Sequence, residues 1–161
     1  MSALRPVHSS LTLEQASRIA DAAIAAGRQE RLLPLAVAVL DSGGNLVAFK
    51  RDDGCGPVRF DIAFGKAWGA LGMGMPGRAI RDRLAQRIGF QAAVAAASDG
   101  RFVPVPGGVL ILDGKGRAIG AVGISGDASD RDEYCAIVAI HAAGLASDPA
   151  EPAANWREAG L

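Results

Sequence analysis

Several residues of this 161-residue chain have the types and spacing to do chemistry. Lys66, Asp61 and Glu133 are the candidates for proton transfer, because a partly buried lysine or acid can have its pKa moved into the working range. Arg51, Asp53 and Lys66 are candidates for holding an anionic ligand group, since a lysine or arginine beside a glycine-walled groove can pair a carboxylate. Gly107, Gly108 and Ser125 join them: their backbone amides either face an anion or permit tight turns. The alternative for the charged set is a buried or interfacial ion-pair network among Arg51, Asp53, Asp61 and Lys66.

Other constellations are thinner. Asp61, Gly65, Gly69 and Gly72 recur at spacings of four, four and three, which places them on one helical face. Three interior glycines, each costing about 0.5–1 kcal/mol against alanine, imply a steric requirement there. Either another backbone packs on them, from a helix or a second subunit, or a flat ligand does. Cys55, Cys135 and Ser125 are the possible nucleophiles, and none has a histidine close in sequence. His8 and His141 are the two histidines, and no His-x-x-x-His, Cys-x-x-Cys or clustered-carboxylate pattern indicates a metal site. Met73 and Met75 have thioethers that can ligate heme iron or fill a core.

The elements that must position these groups follow from periodicity. Leu13, Ala16, Ile19, Ala20, Ala23 and Ile24 predict an amphipathic helix over 13–29, opened by Thr12 and Gln15 as a capping box and closed near Gly27. Residues 35–41 and 46–51 flank Ser42-Gly43-Gly44-Asn45 and predict a β-hairpin whose first strand is apolar on both faces. A second hairpin runs through 108–112 and 117–125, and the segment 101–105 is expected to add a fifth strand. Phe60, Ala63, Phe64, Ala67, Trp68 and Leu71 carry helical core spacing over 60–73, with shorter helices expected near 76–87 and 90–97. Ser129 opens the last helix with Asp130, Asp132 and Glu133 in its first turn, and Gly144 stops it. The sum is an α+β fold with helices packed on an antiparallel sheet of about five strands, read as an arm (1–11), one domain (12–145) and a tail (146–161) that Trp156 anchors on the body or on a neighbour.

Composition bounds the partners. Lys plus Arg equals Asp plus Glu at 17 each, so no net field draws the chain to nucleic acid or an anionic membrane. The first twelve residues contain no apolar run of signal-peptide length, and the expectation is a cytoplasmic protein with free thiols.

Three segments together resemble one known family. They are VAVLDSGGNLVAFKRDD at 37–53, then Asp61-Ile62-Ala63 with Lys66-Ala67, and finally the stretches 106–111 and 120–126 followed by Asp132-Glu133. In that order they are similar to the GlcG/HbpS heme-binding-protein family and to the C-terminal domain of PduO-type cobalamin adenosyltransferases. The resemblance implies a profilin-like, three-layer α/β/α sandwich, a homo-oligomer, and a small-molecule ligand of which heme or a related tetrapyrrole is the first to test. The first helix lacks the histidine that certain heme-binding members carry there. The second function class is an enzyme acting on a small oxygenated or aromatic catabolite, by isomerisation or hydrolysis, through Lys66, Asp61 and Glu133. A purely structural oligomeric protein is the third.

Overall fold

A computed structural model of the chain describes residues 3–161. Five α-helices and five strands follow in the order α1 (Leu13–Gln29), β1 (Ala36–Asp41), β2 (Leu46–Arg51), α2 (Val58–Met73), α3 (Gly77–Leu84), α4 (Ile88–Ala97), β3 (Gly108–Leu112), β4 (Ala118–Ser125), α5 (Ser129–Ala142) and β5 (Ala146–Asp148). The sheet is antiparallel throughout, in the order β2-β1-β4-β3-β5. Helices α1 and α5 cover one face and α2 the other, which gives the three layers expected from the sequence. The capping box also forms, with the Thr12 hydroxyl accepting from the Gln15 amide and the Gln15 side chain accepting in return from the Thr12 amide.

The alternation of side chains divides the core unequally. Val37, Val39, Val109, Ile111, Val122 and Ile124 point towards α1 and α5, where they meet Ile19, Ala23, Ile137 and Ile140. The opposite face of the same strands is built from small residues. Ala36 and Ala38 pack there with Ala63, and Leu40, Leu110 and Ala121 pack with Ala67 and Ala70. Gly108, Gly123 and Ala38 lie side by side across three strands, since Gly123 pairs with both of the others. Helix α2 therefore comes down onto the sheet with backbone against backbone. A Cβ at Gly123 would overlap the Ala63 carbonyl oxygen, and one at Gly108 would overlap that of Lys66.

Gly65 and Gly69 of α2 are covered by the chain itself, while a Cβ at Gly72 would meet only the Trp68 ring, at 3.8 Å. A Cβ at Gly65 would stand 2.5 Å from the Arg101 carbonyl oxygen, and one at Gly69 would stand 3.1 Å from the Phe102 ring. Neither a second subunit nor a ligand floor is needed to explain Gly65 and Gly69. The occupant is segment 101–103, running from α4 to β3. This also corrects the expected fifth strand. Segment 101–105 lies against α2 instead of pairing, and the fifth strand is Ala146–Asp148, which pairs with Leu110–Leu112. Proline at 104 and 106 removes two amide donors that a ladder would need.

The ends are fastened by specific contacts. Leu11 is buried under the sheet, and the Ser10 hydroxyl donates to the Ile119 carbonyl at 2.8 Å. Trp156 stacks on Tyr134 of α5, with centroids 3.8 Å apart and planes 8° from parallel, so its anchor is the body of the same chain. Met73 and Met75 pack against Ile80, Leu84 and Phe102.

The seating of α2 yields a stability prediction. Gly123→Ala should cost more than about 2 kcal/mol, in the range of overpacked cores, because the clashing atom belongs to backbone and cannot rotate away. Gly114→Ala, where a Cβ meets nothing within 4 Å, should stay within about 0.5 kcal/mol of the parent in a urea unfolding series.

Candidate functional site

The sequence-predicted site residues separate into two groups. Lys66 is 2% exposed, and its ammonium meets the Asp132 carboxylate of α5 at 2.9 Å. The other Asp132 oxygen accepts from the Asp127 amide at 3.0 Å, so this buried carboxylate has a partner on each oxygen. Gly107 and Gly108 close over Lys66. Gly107 has φ +105°, and a Cβ there would lie 2.9 Å from Nζ. Ser125 is fully buried nearby and accepts from Arg59 Nη1 at 3.3 Å. Glu133 is also buried, and accepts from Arg78 Nε on both oxygens, at 3.3 and 3.1 Å, and from Nη2 at 2.6 Å.

Arg51, Asp53 and Asp61 do not join this group. All three are exposed, and Arg51 lines a cleft between α1 and β2 with Asp21, Arg28, Lys50 and Asp52. Asp61 lies five residues before Lys66, about 140° away around the helix. The expected network of Arg51, Asp53, Asp61 and Lys66 is thus replaced by the pairs Lys66–Asp132 and Arg78–Glu133. The reason is topological: α5 follows β4 and brings Asp132 beneath α2 from 66 residues away, a partner that local spacing does not reveal. At the Gly107-Gly108 turn an added Cβ would meet atoms of Lys66, Ile124 or Asp132.

Burial shapes the titration of the inner group. It lifts the Asp132 carboxyl to about 6 even though the Lys66 ammonium pulls the other way. It also raises the Glu133 carboxyl against the pull of Arg78. The Cys135 thiol is pushed up to about 12 by burial, and that of Cys55 is raised by burial despite Arg59 and Arg51. Neither cysteine is poised as a thiolate nucleophile. His141 is exposed, with Nε2 2.9 Å from the Ser147 hydroxyl, and His8 is exposed on the arm. Among the described residues no group of three or more His, Cys, Asp or Glu side chains is arranged to hold a metal.

The open concavities lie along a different face of α2. Phe60, Asp61, Phe64 and Trp68 fall within about 100° of one another on the helical wheel, outside the arc that Ala63, Ala67 and Ala70 give to the sheet. Phe60, Phe64 and Asp61, together with Asp99, Gly100 and Arg101, line a groove of about 440 Å³. Next to it is an apolar cleft of about 160 Å³ between α2 and α4, lined by Trp68, Gly69, Gly72, Met73, Val94 and Phe102 among others. Phe49 meets Phe60 edge-on at 4.9 Å, and Phe64 follows at 6.0 Å, which fixes the aromatic floor. Arg101 stands at the rim. Its Nε donates to the Ser98 carbonyl at 3.0 Å, and its guanidinium lies 4.9 Å from the Trp68 ring centroid. The sequence contained half of this site, as the 60, 64, 68 spacing assigned to the core. Arg101 had no local signal.

Two measurements separate the inner pair from the outer groove. Lys66→Met leaves Asp132 buried without its cation and should cost about 3–5 kcal/mol in unfolding experiments. Between 3.8 and about 6 the folded Asp132 carboxyl holds a proton that the unfolded one releases. Its contribution to stability is therefore present below that window and lost as pH rises through it. Asp132→Asn should remove this slope from a plot of unfolding free energy against pH.

Residues 11–141 match the family described as haem degrading protein HbpS-like. A 15.0 kDa protein of Citrobacter freundii, encoded in the dhaT-dhaS intergenic region, is 32% identical over 134 residues, covering 81% of this chain and 89% of that protein. A double mutant of Streptomyces reticuli HbpS superposes with a TM-score of 0.69 at 30% identity, over 86% of this chain and 89% of that one. A PduOC–heme complex superposes with a TM-score of 0.73 over 84% of this chain and 96% of that one, and at 24% identity it bears on the fold alone. With the same layers, the same segments in the same order and a match across most of its length, the chain belongs to the HbpS-like family.

Proposed function

We propose that the protein binds a small planar ligand in the groove on the outer face of α2, and that heme is the first ligand to test. The observation that carries this reading is the pairing of a two-phenyl floor, Phe60 and Phe64, with a guanidinium held at the rim, Arg101. At about 440 Å³ the groove is of the size that small-molecule sites have, and its apolar walls with a few fixed polar groups are their usual chemistry. Family membership supports heme as the starting choice.

The residues fit the macrocycle and a propionate. Phe60 and Phe64 would take the porphyrin face, and Arg101 would take a carboxylate through charged hydrogen bonds. The six lining residues include no imidazole, thiol or thioether, and the adjoining cleft contains the thioether of Met73. Bound heme would supply iron redox chemistry; the chain's own part is to hold and orient the ring. Lys66, Asp61 and Glu133, the set considered for proton transfer, are held apart, with Lys66 and Glu133 committed to separate buried ion pairs.

The proposal includes self-association, which the family resemblance implies. Helix α4 supports it, having no buried residue, with Ile88 76% exposed and Phe90 40% exposed. A monomer mass by light scattering at micromolar concentration would remove that part.

Titration with hemin should give a Soret band that saturates near one equivalent per chain. Arg101→Ala should weaken binding about tenfold to a hundredfold, the loss of one charged hydrogen bond of roughly 1.5–3 kcal/mol. Lys66→Met should lower the melting temperature and leave affinity unchanged. Equal affinity in the parent and Arg101→Ala would place the ligand elsewhere.

A further inference from the structure

The groove carries more information than its size. Asp61 and Asp99 line it along with Arg101, and neither carboxylate is within ion-pair distance of a cation among the described residues. The charges are also separated along the groove. Arg101 stands over Trp68, seven residues beyond Asp61, and seven residues of α-helix span about 10 Å. The floor between them is Phe64. Asp99 has φ +56°, a left-handed conformation that aspartate tolerates, and its amide is tied to the Ala96 carbonyl at 3.1 Å, so the rim is fixed in a turn.

We propose that this groove selects an aromatic monocarboxylate whose far end bears a hydrogen-bond donor, a hydroxyl or an amine. The inference rests on the groove being the ligand site and goes beyond heme as its occupant. Arg101 accepts the carboxylate, since its Nε is committed to Ser98 and its remaining amino groups are free to fork onto two oxygens. The ring lies on Phe60 and Phe64. The donor reaches Asp61, the groove-lining carboxylate on α2. The span suits a single ring: a para-substituted benzene puts its polar atoms roughly 6 Å apart, and two hydrogen bonds of about 2.8 Å bring the total near the available length. A second carboxylate at the far end would face the like charge of Asp61 and lose.

Discrimination is readable through Trp68, which lies under Arg101. The chain has two tryptophans, so Trp156→Phe leaves Trp68 as the reporter. Light scattering and circular dichroism are run alongside, because Trp156 stacks on Tyr134; if that variant is unfolded, calorimetry on the parent replaces fluorescence. The probes are 4-hydroxybenzoate, 4-aminobenzoate, benzoate and terephthalate. The first two should saturate the emission change at concentrations at least tenfold below benzoate, and terephthalate should be weakest. Asp61→Asn should bring terephthalate to within about threefold of 4-hydroxybenzoate, and Arg101→Gln should abolish the response to all four. Terephthalate binding as tightly as 4-hydroxybenzoate to the parent would overturn the inference. So would hemin quenching Trp68 with no preference among the four acids, which leaves the groove as the ligand site. Silence from every compound, hemin included, overturns both readings.

Discussion

The architecture depends on how closely α2 approaches its neighbours. Along one side it meets the sheet where Gly108 and Gly123 have no side chains, so the carbonyls of Lys66 and Ala63 rest almost directly on strand backbone. On a second side Gly65 and Gly69 admit segment 101–103. Interior glycines cost helix stability, about 1 kcal/mol each against alanine, and that cost is offset only by the packing they allow. Every functional feature of the molecule follows from this seating. The buried Lys66–Asp132 pair is sealed under Gly107 and Gly108, and Arg101 is carried to the rim of the aromatic groove by the segment that Gly65 receives.

The same constraint explains why large aromatic side chains line a groove. Where Ala36, Ala38, Gly108 and Gly123 face α2, only small residues fit between the layers, and Ala63 takes that place, while Ala67 and Ala70 pack beside Leu40, Leu110 and Ala121. Phe60, Phe64 and Trp68 are displaced to the shoulder of the helix, where they stay half-buried. An apolar surface of that kind beside a fixed cation is the chemistry on which the proposed ligand site rests. The inner polar group has the opposite character. Its charges are paired, its carboxyl is lifted towards 6 by burial, and its contribution is to join α2 to α5 around the end of the sheet.

Most of the scaffold could be read from the chain because its signals are local. The capping box at Thr12, the glycine turn at 42–45 and the small-residue strands 108–112 and 118–125 each act within a few residues. The fifth strand could not, since Ala146–Asp148 has no β-branched residue and is a strand only because β3 presents an open edge. Segment 101–105 carries Phe102, Val103 and Val105, residue types common in strands, yet Pro104 and the glycine face of α2 assign it another place. For the site, Lys66, Gly107 and Gly108 do converge, but around Asp132 and inside the fold, while Ser125 is buried against Arg59. The aromatic spacing was visible and its burial was not. The distinction lay in reading alanines 63, 67 and 70 against the glycines of strands that come 38 or more residues later.

The central claim is that a missing side chain at Gly65 holds the rim of the site. Amide hydrogen exchange on Gly65→Ala tests it most directly, because alanine is the better helix former and any loss must come from the lost contact. The Phe102 amide, which donates to the Ser98 hydroxyl at 3.1 Å, and its neighbours through Val105 should lose protection, while the amides of β1, β3 and β4 keep theirs. Unchanged protection across 98–105, or an equal loss throughout the sheet, would contradict the account.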